Sequence, residues 1–306
     1  MPNFRARLSL PWFLAALVFA TSVAIAEPPA PDKVESELET AFQEAGSALQ
    51  KGPADIPIAG QATLQLPTGY GFVPVEPARQ LLMAMGNPRN ERVQGMIFPS
   101  GENSGDWFIV VSYEPSGYIK DDDAKDLDPD KMLSEIREGT EAANRERRDR
   151  GIPELDVVGW VEPPRYDPDT HRLVWSLSSR LKGQPADAGQ GINYNTRMLG
   201  REGYVSLNLV ADLGSIGKLK PVAHNFLAST EFDAGKRYAD FQAGTDKVAE
   251  YGLAALVAGV AAKKLGLFAV VAAFVAKFAK VLIAAAVVGL GGLGKFFGRK
   301  KKTDDA

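Results

Sequence analysis

Across residues 31–50 the apolar side chains Val34, Leu38, Phe42, Ala45 and Leu49 recur at helical spacing, and Gly52-Pro53 closes the segment. The period then shortens. Residues 62–66 alternate polar and apolar positions as a half-buried strand does, and Pro67-Thr68-Gly69 turns them into a second strand over residues 70–75. Residues 78–85 predict a short helix stopped by Gly86-Asn87-Pro88. Residues 107–114 are continuous enough in Phe108, Ile109, Val110 and Val111 to be a central strand. A longer helix follows to about Arg150. Asp128 suits its N-cap and Pro129 its first turn, Met132, Leu133, Ile136 and Ala143 face inward, and Gly151 ends it.

The next stretch is strand-rich. Residues 155–162 and 171–181 flank the turn Tyr166-Asp167-Pro168-Asp169-Thr170 and predict a β-hairpin. Pairing Tyr166 with His171 sets Trp160 opposite Leu177 and Glu162 opposite Trp175 on one surface. Trp160, Leu173, Trp175 and Leu177 then form a stripe, read either as sheet core or as a sugar-stacking platform. A second hairpin joins residues 192–199 to 204–211. Pairing Gly200 with Gly203 puts Tyr194, Thr196 and Met198 opposite Leu209, Leu207 and Val205, and a slip of one residue would mix the two faces. The other face carries Asn193, Asn195, Arg197, Ser206 and Asn208; it is either solvated or the floor of a ligand or partner site. A helix over residues 216–228 and a short strand over 230–232 complete an α+β class: a mainly antiparallel sheet, two or three helices, and a C-terminal membrane-associated helical anchor.

The anchor is the apolar run over residues 251–294, closed by Lys295, Arg299, Lys300, Lys301 and Lys302, a basic flank of the kind retained in the cytoplasm. At the other end Arg5 and Arg7, an apolar stretch over residues 10–20 and Ala24-Ile25-Ala26 make a secretory signal. The predicted organisation is a signal peptide (1–26), an N-terminal helix or stalk (27–55), an exported domain (56–243), a membrane anchor region (244–298) and a basic cytoplasmic tail (299–306). This places the chain in a bacterial cell envelope, with the lipid bilayer as a partner. Fourteen uncharged residues separate Lys280 from Lys295, about 21 Å of helix against a hydrocarbon core of ~30 Å. One span, and an interfacial helix followed by a span, both stay open. Gly252, Ala255, Gly259, Ala262, Gly266, Ala269, Ala273 and Ala276 follow alternating spacings of three and four. Such a small-residue face lets helices pack closely, and predicts a homo-oligomer or a membrane-protein partner.

Composition narrows the chemistry. The 306 residues include no cysteine, and the histidines are His171 and His224, so one chain builds no disulfide, thiolate nucleophile or Cys/His zinc site, and no cofactor is expected. Residues 27–250 hold 24 Lys plus Arg against 36 Asp plus Glu, whereas residues 251–306 hold nine basic and two acidic residues. The acidic field of the exported part repels phosphate backbones, which excludes nucleic acid as a partner. The run Asp121, Asp122, Asp123, Asp126, Asp128 and Asp130 has Asp126 where a calcium loop needs glycine, so helix capping is the simpler reading. No catalytic signature emerges. The expectation is a non-enzymatic binding or assembly module; the alternative is an envelope-polymer hydrolase using Glu162, Asp167 and His171 as acid-base groups.

Six strings carry a resemblance: Gly117-Tyr118-Ile119-Lys120-Asp121-Asp122-Asp123-Ala124; Gly139-Thr140-Glu141-Ala142-Ala143-Asn144; Gly159-Trp160 with Pro163-Pro164-Arg165-Tyr166-Asp167; Asn193-Tyr194-Asn195-Thr196-Arg197; Leu199-Gly200-Arg201-Glu202-Gly203; and Arg237-Tyr238-Ala239-Asp240-Phe241. In this order they resemble the bacterial membrane-anchored proteins catalogued as domain of unknown function 2167. The resemblance covers nearly all of the chain after the signal. It implies an envelope protein anchored near its C-terminus and carries over no catalytic residue. The order of elements is also similar to that of the Mog1/PsbP-like sandwich.

Overall fold

The computed structural model describes residues 31–85, 87, 89–100, 105–149 and 154–258. Helix α1 (Pro31–Ser47) leads into strands β1 (Gln50–Lys51), β2 (Ala54–Ile58), β3 (Ala62–Leu66) and β4 (Tyr70–Pro74), then helix α2 (Val75–Ala84). Strands β5 (Val93–Pro99) and β6 (Phe108–Glu114) precede helix α3 (Pro129–Asp149). Four strands follow: β7 (Leu155–Asp167), β8 (Arg172–Leu181), β9 (Gly191–Leu199) and β10 (Tyr204–Asp212). Helix α4 (Ile216–Ala228), strand β11 (Thr230–Phe232) and the short helix α5 (Leu253–Ala258) complete the described chain. Eight strands form one sheet in the order β1-β4-β5-β6-β10-β9-β8-β7, and three form another in the order β11-β3-β2, every pairing being antiparallel. The expected α+β class is therefore observed. The predicted signal peptide, and all of the predicted anchor beyond Ala258, lie outside the described residues. Among the described residues no helix is long and apolar enough to cross a membrane.

Side-chain alternation along each strand divides the core in two. Ile109 and Val111 of β6, with Tyr194, Leu207 and Leu209, point to the three-stranded sheet and to Phe226 and Leu227 of α4. Their neighbours Phe108 and Val110 point the other way, to Leu81 and Leu82 of α2 and to Ala41 and Ala45 of α1. Further along that second face, Leu173, Trp175, Leu199 and Tyr204 pack with Met132 of α3 and with Leu253, Leu256 and Val257 of α5. Burial on both faces is why β6 reads as an unbroken apolar run.

The β9–β10 register is the one alternation predicts: Tyr194, Thr196 and Met198 stand opposite Leu209, Leu207 and Val205. The β7–β8 register is not. Trp160 does face Leu177, but Glu162 pairs with Ser176 rather than Trp175, and Tyr166 with Leu173 rather than His171, after three register shifts along β7. Pro163 and Pro164 lack the N–H groups a regular ladder requires, and the bulges absorb the mismatch between 13 residues in β7 and 10 in β8. The shifts turn Glu162 to the face opposite Trp160. The aromatic stripe is sheet core: Trp175 is 4% exposed, and Trp160 packs beside it while donating from Nε1 to the carbonyl of Pro129 at 3.0 Å.

Strand β7 closes one edge of the large sheet, where unpaired backbone groups would template association. Side chains of α3 cover it. Asn144, with no exposed surface, donates from Nδ2 to the Leu155 carbonyl at 2.8 Å and accepts the Leu155 N–H at Oδ1 at 2.9 Å. Arg137 donates to the carbonyls of Val157 and Val158 at 3.3 and 2.6 Å. An amide and a guanidinium thus stand in for a ninth strand.

Candidate functional site

The most heavily built feature is the seat that holds α5 and the segment leading to it. Arg201 forks onto Asp246 at 2.7 and 2.8 Å. That contact, followed by the N–H of Gln242, holds the Asp246 carboxyl down at about 2. Next, Tyr118 pairs with Val248 as an isolated parallel bridge, its N–H donating to the Lys247 carbonyl at 2.8 Å. Gly117 lies so close that a Cβ there would stand 2.6 Å from the Lys247 carbonyl oxygen, and its φ of +91° favours glycine. Asp123 then caps α5 from 130 residues away, accepting the N–H groups of Leu253 and Ala254 at 3.0 and 3.1 Å. Arg197 donates to the Leu256 carbonyl at 3.3 Å with its guanidinium carbon 4.8 Å from the rings of both Trp175 and Tyr204. Leu253 is fully buried beneath these contacts.

Beside the seat four rings stack in sequence. Phe241 lies 3.9 Å from Tyr118, Tyr118 4.4 Å from Tyr238, and Tyr238 3.9 Å from His171 between centroids. The Tyr166 hydroxyl donates to Asp121 at 2.7 Å and lies 2.9 Å from His171 Nδ1. Burial raises the Tyr166 phenol, and the carboxylate of Asp121 raises it further. Burial opposes the charge on Asp121, yet the hydrogen bond from the Tyr166 hydroxyl holds its carboxyl below the usual range. The hydroxyl of Tyr238 donates its proton to the Ile119 carbonyl at 2.8 Å, so the stack joins the 117–123 loop to the β7–β8 turn.

The three hydrolase candidates do not converge. Asp167 serves its own turn, accepting the Asp169 N–H at 3.0 Å and the Thr170 hydroxyl at 2.7 Å. His171 sits in the ring stack, whereas Glu162 lies on the other face of the sheet against Tyr194, His224 and Lys220. The polar face of β9 and β10 divides as well. Asn193, Asn195 and Asn208 form one patch, with Asn208 donating to Asn193 Oδ1 at 3.3 Å and Asn195 donating to the Asn193 carbonyl at 3.2 Å. Asn208 is only 2% exposed, so this part of the face is not simply solvated. Arg197 belongs to the α5 seat, and Ser206 stands opposite it in the register.

Of the small-residue face, Gly252 and Ala255 are described; Gly259, Ala262, Gly266, Ala269, Ala273 and Ala276 lie outside the described residues. Gly252 leaves room for the capping carboxylate: a Cβ there would stand 2.5 Å from Asp123 Oδ2, so a larger residue would have to displace that side chain. Gly252 and Ala255, with Asp123, Asp126, Lys131 and Met132 among the lining, face a cavity of about 320 Å³ between α3 and α5. They are turned away from the core, which takes Leu253, Leu256 and Val257 instead. In the acidic run, Asp128 Oδ1 accepts the Lys131 N–H at 3.0 Å at the start of α3, as capping predicts.

Periodicity does not find the seat, since its contacts are single polar residues far apart in the chain. The resemblance strings come nearer: Gly117, Tyr118, Asp121 and Asp123 from the first, Tyr166 from the third, Arg197 and Arg201 from the next two, and Tyr238 and Phe241 from the last all meet here.

Comparison with solved structures finds distant likenesses. PsbP (CyanoP) from Synechocystis sp. PCC 6803 is 11% identical with a TM-score of 0.33, covering 61% of this chain and 93% of its own. The Ran-binding protein Mog1p of Saccharomyces cerevisiae is 10% identical with a TM-score of 0.31, covering 60% and 96%. Neither score adds to what the strand order itself shows. No curated protein matches the chain. The family model described as protein of unknown function (DUF2167) matches residues 50–287, from β1 through the α5 seat and on into the apolar run, and the chain belongs to that family.

Proposed function

We propose that this chain is a non-enzymatic binding or assembly module of the bacterial cell envelope: an exported sheet domain tethered to the membrane by its C-terminal run. One observation supports the reading above the others. The apolar run does not begin on a loose linker. Its first helical turn is core, with Leu253 fully buried and Leu256 and Val257 each 6% exposed, and polar clamps from three parts of the chain fix it. Such a joint transmits the position of the sheet domain to whatever follows Ala258, which suits a part that must be held in register with partners. The small-residue face from Gly252 to Ala276 is the proposed contact with a second copy or a membrane protein.

The joint also fixes how the test is made. Cutting before residue 251 would remove core side chains, so the informative truncation ends at Ala258. Fractionation of cells expressing the full chain and the 1–258 form should place the first with membranes and the second in the soluble periplasmic fraction, both folded. Equal membrane retention of the two would refute the tether.

A further inference from the structure

On the face away from the α5 seat, a carboxylate, a phenol and an imidazole line up under α4. Glu162, 8% exposed, accepts the Tyr194 hydroxyl and lies 2.8 Å from Lys220 Nζ. Tyr194, with no exposed surface, has its oxygen 2.8 Å from His224 Nε2. A phenol has one proton to give. Burial works against charge on Glu162, but the hydrogen bonds from Lys220 and Tyr194 prevail and hold its carboxyl below the usual range. An ionised carboxylate only accepts, so the Tyr194 proton points to Glu162 and the Tyr194 oxygen must accept from His224. That assigns the neutral imidazole its proton on Nε2 and leaves Nδ1 as a lone pair. No described protein group is paired with Nδ1.

The charges around that lone pair are unbalanced. Lys220 is 48% exposed at its side chain, Arg165 is exposed, and both act on His224. Glu162 opposes these two cations with a single negative charge. Burial keeps the His224 pKa below its ordinary value; Glu162 pulls the other way, and Lys220 and Arg165 push down again. We propose that this seam between α4 and β7 is an oxyanion-binding site, in which a phosphate or carboxylate group is met by Lys220 and Arg165 while His224 takes up a proton at Nδ1 and becomes a third donor. The anion cancels the repulsion from Lys220 and Arg165, and the imidazolium formed is backed through Tyr194 by Glu162. Binding and protonation are reciprocal: the anion raises the pKa of His224, and lower pH tightens the anion. This places a ligand site on the opposite side of the sheet from α5, independent of the assembly reading.

The experiment uses the full chain labelled with ¹⁵N-histidine, whose two imidazoles give separate signals, with His171 as the internal control. In chloride buffer His224 should show the Nε2–H tautomer. Inorganic phosphate should raise its titration midpoint saturably while leaving His171 in place, and Arg165→Ala combined with Lys220→Ala should abolish that response. A second arm with phosphatidylglycerol vesicles separates the sources. Movement with free phosphate assigns a soluble oxyanion; movement only with vesicles assigns a lipid headgroup. The proposal is overturned if neither probe moves His224, if both histidines move alike, or if the response survives the double substitution.

Discussion

Replacing Asn144 with alanine tests whether a side chain closes the sheet edge. The amide makes two hydrogen bonds to the backbone of Leu155 from a fully buried position, and Asn144→Ala leaves one N–H and one C=O of β7 without their partners. A polar group stranded in this way costs about 1–3 kcal/mol. Leu155 is only half-buried, so water recovers part of that, and the pair should cost about 2–3 kcal/mol in all. For a body of this size the loss corresponds to a fall in Tm of about 4–12 °C. Asn144→Asp separates hydrogen bonding from volume. Its carboxylate still accepts the Leu155 N–H, but it turns a charge onto the Leu155 carbonyl and stands near Glu141. That variant should be the worse of the two at neutral pH and recover as the new carboxyl is protonated. Thermal unfolding would read the stability, and hydrogen exchange at the Leu155 amide would read the edge itself. A change within the roughly ±0.5 kcal/mol typical of surface substitutions, with Leu155 exchange unaltered, would refute the reasoning.

The remaining predictions concern the seat and the run beyond it. Leu253→Ala should cost about 2–5 kcal/mol in chemical denaturation, the range for a buried leucine, although it changes only the first residue of α5. The low pKa of Asp246 makes its contribution present above the ordinary carboxylate value near ~4 and lost as pH falls toward about 2. Pepsin cleavage of the 242–252 segment should rise across that window, and Asp246→Asn should flatten the rise. Gly252→Ala should displace Asp123 and raise amide exchange at Leu253 and Ala254; unaltered exchange would disprove the close approach. Gly259→Leu with Gly266→Leu should weaken membrane cross-linking between copies, and unchanged cross-linking would reject the small-residue face as a contact.

How much of this was legible depends on whether the signal was repeated or single. The β9–β10 hairpin is written twice, once in the alternation of Tyr194, Thr196 and Met198 and again in Leu209, Leu207 and Val205, so its register follows from sequence. The β7–β8 hairpin carries the same kind of alternation but is interrupted by Pro163-Pro164, and each bulge reverses which side the next residue faces. Counting from the turn therefore puts Glu162 on the wrong surface and hides its meeting with Tyr194 and His224. The clamps were less accessible still. Asp123 at α5, Arg201 with Asp246 and Asn144 with Leu155 are one-residue events whose partners only topology supplies, and an aspartate in an acidic run gives no sign that it will cap a helix 130 residues later.

The position of α5 also bears on how the protein is made. The pocket that receives Leu253, Leu256 and Val257 is walled by residues from Ile119 to Tyr238. A chain emerging from its N-terminus has therefore presented nearly every wall of that pocket before the plug arrives. Without Leu253, Leu256 and Val257, the side chains of Trp175, Leu199 and Tyr204 would lose the part of their cover that α5 supplies. A chain ending before Leu253 would thus carry an apolar patch, and the residues that cover it are the same ones that begin the apolar run.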